Sequence, residues 1–130
     1  MIVVDSSVWI SRLHNIETDQ TRKIDAAFEN KQKIIMGDII LMEILQGAQN
    51  DNHAANLRKK LAKVEVVPML SPDLALKAAA NYRKLRSAGI TASRTADLII
   101  GTYCIENDCK LIQADKHFIF MADHLGLQLA

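Results

Sequence analysis

The sequence predicts an α/β fold with a mostly parallel sheet of four to five strands flanked by helices. Two observations predict it. Short apolar runs alternate along the chain with longer segments of helical periodicity, and the runs read as buried strands covered on both faces. Glycine, proline, aspartate and serine mark most of the junctions, as element breakers do.

The elements follow in order. Ile2 to Val4 is a short strand, and Asp5-Ser6-Ser7 offers cap chemistry for a helix through Val8, Trp9 and Ile10. Asp19 to Asn30 reads as an amphipathic helix with Ile24, Ala27 and Phe28 on one face. Lys33 to Met36 is the second strand. Gly37-Asp38 ends it and starts a helix to about Gln49, with Gly47 near its end. Asp51 to Lys63 is a basic amphipathic helix, and Val64 to Val67 is a third strand stopped by Pro68. Ser71-Pro72-Asp73 combines a hydroxyl cap, a proline at the first helical position and an acid in the first turn. That helix runs to about Ser87 and ends at Gly89. Thr95 to Asn107 is a further helix and Lys110 to Gln113 a fourth strand. Lys116 to Asp123 is a short helical turn, and Leu127 to Leu129 offers a small fifth strand.

A length of 130 residues predicts one domain with one core, spanning 1–130. Apolar content of 49% and charged content of 24% fit a globular protein. No apolar run approaches the ~20 residues that span a bilayer. Met1-Ile2-Val3-Val4-Asp5 lacks a basic n-region, so a cytoplasmic location is expected. Cys104 and Cys109 match no common zinc spacing and read as small buried hydrophobes.

Four acids interrupt this apolar pattern. Asp5 ends Ile2-Val3-Val4, Glu43 lies between Leu41-Met42 and Ile44-Leu45, Asp97 opens Leu98-Ile99-Ile100, and Asp115 follows Leu111-Ile112-Gln113-Ala114. An ionised carboxylate beside a core costs several kcal/mol unless it is paired or metal-bound. Each acid alone has an ordinary explanation. Asp5 caps a helix, Asp97 complements a helix N-terminus, and Asp115 sits in a turn. Glu43 is the hardest to explain so, because its flanks leave little polar face. In an open parallel sheet, sites form beyond the carboxyl ends of the strands. All four acids can converge there on one divalent cation.

Net charge is +1, from 16 basic and 15 acidic residues. With four acids gathered in one site, 11 acids face 16 bases elsewhere. An acidic pocket on a mildly basic body suits a metal-dependent enzyme acting on a polyanion.

The same segments resemble a known family. Val3-Val4-Asp5-Ser6-Ser7-Val8-Trp9-Ile10 resembles the opening of PIN domains of the VapC type. Glu43-Ile44-Leu45-Gln46-Gly47 resembles the second acidic motif of that family. Arg94-Thr95-Ala96-Asp97-Leu98-Ile99-Ile100-Gly101, followed by Cys104-Ile105-Glu106-Asn107, resembles the third. Leu111-Ile112-Gln113-Ala114-Asp115-Lys116-His117-Phe118 resembles the fourth. The match covers nearly the whole chain, in order.

The resemblance implies a PIN-like fold and a small endoribonuclease dependent on Mg²⁺ or Mn²⁺. It implies the toxin of a type II toxin–antitoxin pair, a homodimer, and a VapB-type antitoxin whose tail fills the active site. Operator DNA would be bound only through the toxin–antitoxin complex. Many relatives carry a second acid where this chain has His117.

Hard oxygen ligands suit Mg²⁺ or Mn²⁺ rather than zinc. The expected chemistry is in-line hydrolysis of an RNA phosphodiester. Asp5 and Asp97 are the expected direct ligands, with Glu43 and Asp115 completing the shell directly or through water. Ser6 and Ser7 suit helix capping more than a place in that shell. Arg94 and Lys116 flank site acids and suit either a substrate phosphate or plain solvation. Arg83, Lys84 and Arg86 fall late in a helix, where the macrodipole accounts for them. His14, His53 and His124 have no partner pattern, and His117 suits a surface or structural place more than positioning a phosphate or acting as an acid.

Other readings stay open at this level. A receiver-type phosphotransfer domain needs a paired acid after the first strand, which Asp5-Ser6-Ser7 lacks. A dehalogenase-type phosphatase needs an acid where Ser7 stands. A housekeeping RNA-processing PIN nuclease is a further alternative, and a PIN-like RNA-binding or scaffold module that has lost catalysis is disfavoured by the presence of all four acids.

Overall fold

A computed structural model describes residues 1–91 and 94–130. The chain runs β1 (Ile2–Val4), α1 (Ser6–Leu13), α2 (Asp19–Glu29), β2 (Ile34–Gly37), α3 (Asp38–Gln46) and α4 (Asp51–Lys60). It continues through β3 (Glu65–Val67), α5 (Pro72–Ser87), α6 (Thr95–Glu106), β4 (Lys110–Ile112), α7 (Lys116–Leu125) and β5 (Gln128–Leu129). The five strands form one all-parallel sheet in the order β3-β2-β1-β4-β5.

β1 lies at the centre. Val3 pairs with Ile35 on one side and Leu111 on the other, and Val3 and Val4 are fully buried. The chain adds β2 and β3 to one flank of β1, then crosses to add β4 and β5 to the other. The strand order therefore reverses between β1 and β4. Ligand sites of open α/β sheets lie at that reversal, beyond the strands' carboxyl ends.

Local chemistry explains the helix starts. Thr18 and Thr21 form a reciprocal capping box at α2. Ser71 Oγ accepts the Leu74 N–H at 3.1 Å, and Pro72 opens α5. Asn50 Oδ1 accepts the His53 N–H at 2.8 Å to start α4. That cap accounts for one departure from expectation: α3 ends at Gln46, not near Gln49. The residues after Gly47 are committed to the next cap, and the Gln49 N–H bonds His53 Nδ1.

A second departure lies at Gly37, which belongs to β2 rather than ending it at Met36. A Cβ at Gly37 would run into the Met69 side chain. The bare backbone lets the segment after β3 pack closely. Asp38 fixes the same junction by accepting the Met69 N–H at 3.2 Å.

The core fills both faces of the sheet. Trp9, Ile24, Ile40, Leu85, Ile100, Phe118 and Met121 are its largest buried helical side chains. α5 and α6 share a buried seam, tied by Asn81 Nδ2 donating to Thr102 Oγ1 at 3.0 Å. Cys104 and Cys109 are buried and unpaired, as expected, and burial pushes both thiols up in pKa. Among the described residues, no helix is long and apolar enough to cross a membrane.

Candidate metal centre

Asp5 emerges directly from central β1 at the reversal point and is 6% exposed. It occupies the N-cap position of α1, yet its side chain makes no capping hydrogen bond. Instead Ser7 Oγ donates to Asp5 Oδ2 at 3.0 Å. Burial raises the Asp5 pKa; the Ser7 hydroxyl opposes this, and the charge of Asp97 adds to it. The expected serine cap of α1 is thus corrected. Ser6 is already helical, and Ser7 serves the carboxylate.

Glu43 projects from the middle of α3, between buried Ile40 and Ile44. Its Oε1 is buried and has no hydrogen-bond partner. Burial raises its pKa, and repulsion from Asp5 raises it further. Asp97 is the third residue of α6 and is 4% exposed. Burial raises its pKa, Arg94 opposes this, and Asp115 pushes the same way as burial.

Asp115 follows β4 and caps α7. Its Oδ1 accepts the His117 backbone N–H at 2.9 Å. That bond is the main reason its pKa is lowered, against a smaller opposing effect of burial. The ordinary turn role expected for Asp115 is therefore real, and it leaves Oδ2 free for other partners.

Arg94 spans two of these acids. Nε lies 3.4 Å from Asp97 Oδ2, and Nη2 lies 3.1 Å from Asp115 Oδ2. Its side chain is 70% exposed, so the ion pairs are screened and weak. Lys116 is exposed.

The sequence favours a surface or structural role for His117 over one at a phosphate or as an acid, but the structure brings it into the site. Its Nδ1 is 2.9 Å from Asp115 Oδ1 and 3.9 Å from Asp97 Oδ2. Asp97, Asp115 and His117 each present one donor atom within 4.8 Å of the others. Asp5 and Glu43 stand outside that tight group and join it through charge, since Glu43 feels Asp5 and Asp97, and Asp5 feels Asp97. The only early signal for His117 was its place two residues after Asp115.

These residues fit a divalent cation. The carboxylates of Asp5, Glu43 and Asp97 repel one another in a desolvated setting, and one buried oxygen among them, Glu43 Oε1, has no hydrogen-bond partner. A small dication relieves both conditions, and carboxylate oxygens are its preferred donors.

Residues 2–123 match the PIN domain. The chain belongs to the PIN-domain family. Among proteins of known name it is 31% identical to the VapC ribonuclease Mb1587 of Mycobacterium bovis, covering 100% of this chain and 98% of that one. It is equally similar, with the same coverage, to ribonuclease VapC11 of Mycobacterium tuberculosis. The fold matches VapBC2 of Rickettsia felis bound to a promoter DNA fragment, with a TM-score of 0.80 at 15% identity, covering 100% of this chain and 98% of that one. It also matches DNA-bound VapBC of Salmonella typhimurium, with a TM-score of 0.77 at 16% identity and the same coverage.

Proposed function

We propose that this chain is a divalent-metal-dependent endoribonuclease and the toxin of a type II toxin–antitoxin pair. The observation that carries the chemistry is the acid cluster at the β1/β4 reversal, where three carboxylates have raised pKa values and Glu43 Oε1 has no partner. Full-length similarity to proteins named VapC ribonucleases supports RNA as the substrate. Asp5, Glu43, Asp97 and Asp115 would hold Mg²⁺ or Mn²⁺. When bound, the ion supplies activation of water and neutralisation of phosphate charge.

The chain's own residues do the rest. The His117 backbone N–H keeps Asp115 ionised and oriented. Ser7 fixes one Asp5 oxygen, leaving the other for the site. Arg94, on the exposed rim, is placed to exchange its carboxylate partners for a substrate phosphate. A water-exposed arginine makes that exchange at small energetic cost.

The folds it matches are those of VapBC complexes, which supports a VapB-type antitoxin as partner. The same reading includes a homodimer, operator DNA contacted only through the antitoxin complex, one catalytic domain over 1–130, and action on RNA in the cytoplasm.

Antitoxin-free protein is expected to cut RNA with Mg²⁺ or Mn²⁺ and to stop with EDTA. Asp5→Asn and Asp97→Asn should each abolish cutting while circular dichroism stays native. Full activity in both variants would sink the assignment.

A further inference from the structure

The metal-binding reading leaves one donor without a task, the imidazole of His117. Its ring is held in place. The His117 backbone N–H is bonded to Asp115 Oδ1, and the next residue, Phe118, is fully buried. Nδ1 is buried and has no hydrogen-bond partner, although Asp115 Oδ1 is only 2.9 Å away. The geometry is therefore a close approach of nitrogen and carboxylate oxygen without an aligned N–H between them. Asp97 Oδ2 faces the same nitrogen at 3.9 Å. Arg94 pairs with Oδ2 of both carboxylates, but Nδ1 itself is left with no donor and faces their oxygens directly.

The spacing suits a shared ion. Two ligands with bonds of about 2.1 Å to one octahedral ion sit about 3 Å apart when adjacent and about 4.2 Å apart when opposite. Both separations from Nδ1 fall within or at the edge of that span.

We infer that His117, through Nδ1, is a nitrogen ligand of the cation held by Asp97 and Asp115, and that it biases the site toward Mn²⁺ over Mg²⁺. This inference rests on the metal-site reading above. Its chemistry is that of the donor. Mg²⁺ is hard and takes oxygen almost exclusively, whereas transition ions accept imidazole readily. Replacing one oxygen donor by imidazole penalises Mg²⁺ more than Mn²⁺. His14, His53 and His124 stand outside the donor group.

The test uses metal-free full-length protein titrated with Mn²⁺ and followed by electron paramagnetic resonance. Binding should quench the free Mn²⁺ signal. Spin-echo modulation of the bound ion should reveal a directly coordinated ¹⁴N, which changes to the ¹⁵N pattern when the protein is made with ¹⁵N-histidine. The label requires no substitution, so it holds even where a variant fails to fold. His117→Asp should still bind Mn²⁺ but without nitrogen modulation, and its preference for Mn²⁺ over Mg²⁺ should fall roughly tenfold. Bound Mn²⁺ with no nitrogen modulation in the natural protein overturns the role of His117 and leaves the metal site standing. Failure of the folded protein to bind Mn²⁺ overturns both.

Discussion

Asp5 illustrates what a buried acid does to its own fold. In the metal-free protein its carboxyl is pushed above the usual range, mainly by burial, and Glu43 and Asp97 are pushed the same way. A raised pKa means the folded state binds these protons more tightly than the unfolded chain. Their contribution is full below the unfolded values near 4 and is lost as pH rises through the higher folded values. In EDTA, the thermal midpoint should therefore fall as pH rises from about 4 through the raised values of these acids. Asp115, whose pKa is lowered, acts in the opposite sense toward acid. Asp5→Asn removes the charge and keeps an acceptor for Ser7. At pH 7 in EDTA it should stabilise the protein by about 1 kcal/mol while losing activity, as when a functional site is neutralised. A midpoint lower than that of the natural protein would contradict this. Residue by residue, legibility followed context. Glu43 stood out because apolar neighbours surround it in sequence. His117 stands out only as a departure from the resemblance, because a lone histidine at a helix start shows no partners until β4 and α6 bring Asp115 and Asp97 to it.

At the scale of elements, caps and breakers were readable and helix lengths less so. Ser71-Pro72-Asp73 announced α5 because its chemistry is local. Ser71→Ala should cost about 1 kcal/mol in chemical denaturation, the usual worth of an N-cap. The end of α3 is not legible in the sequence because the Asn50 cap competes for the same residues, and only the folded chain decides between them. α6 is buried over Asp97–Thr102, so no amphipathic stripe marks which of its faces meets which neighbour. Gly101 marks one such meeting. A Cβ there would run into the Met121 side chain of α7. Gly101→Leu should destabilise by about 1–3 kcal/mol through overpacking, against a smaller change for Gly101→Ala, where the flexible methionine tip can yield. Equal effects from both would place the cause elsewhere.

For the whole molecule, the α/β class and parallel sheet were legible from the alternation of strands and helices. The order β3-β2-β1-β4-β5 was not, since each strand is apolar and none encodes its neighbour. Function at this scale is a property of the assembled sheet, because Asp5 and Asp115 lie 110 positions apart in the chain and follow strands that become neighbours only at the reversal. A bound cation should stabilise that assembly by mass action. At a hundredfold excess of Mn²⁺ over its dissociation constant, the gain is about 2.7 kcal/mol, read as a rise in thermal midpoint that Asp97→Asn lacks. An unchanged midpoint in the natural protein would count against a specific site.

The central position of β1 also has a consequence for biosynthesis. The first strand made cannot receive its second neighbour until Lys110–Ile112 has been translated, and Asp115 comes later still. At about 5–20 residues per second, several seconds separate the making of Asp5 from that of Asp115, and through them the nascent chain lacks the geometry needed to cut RNA. Any cleavage by this chain is thus deferred until its last site acid has been made and folded into place.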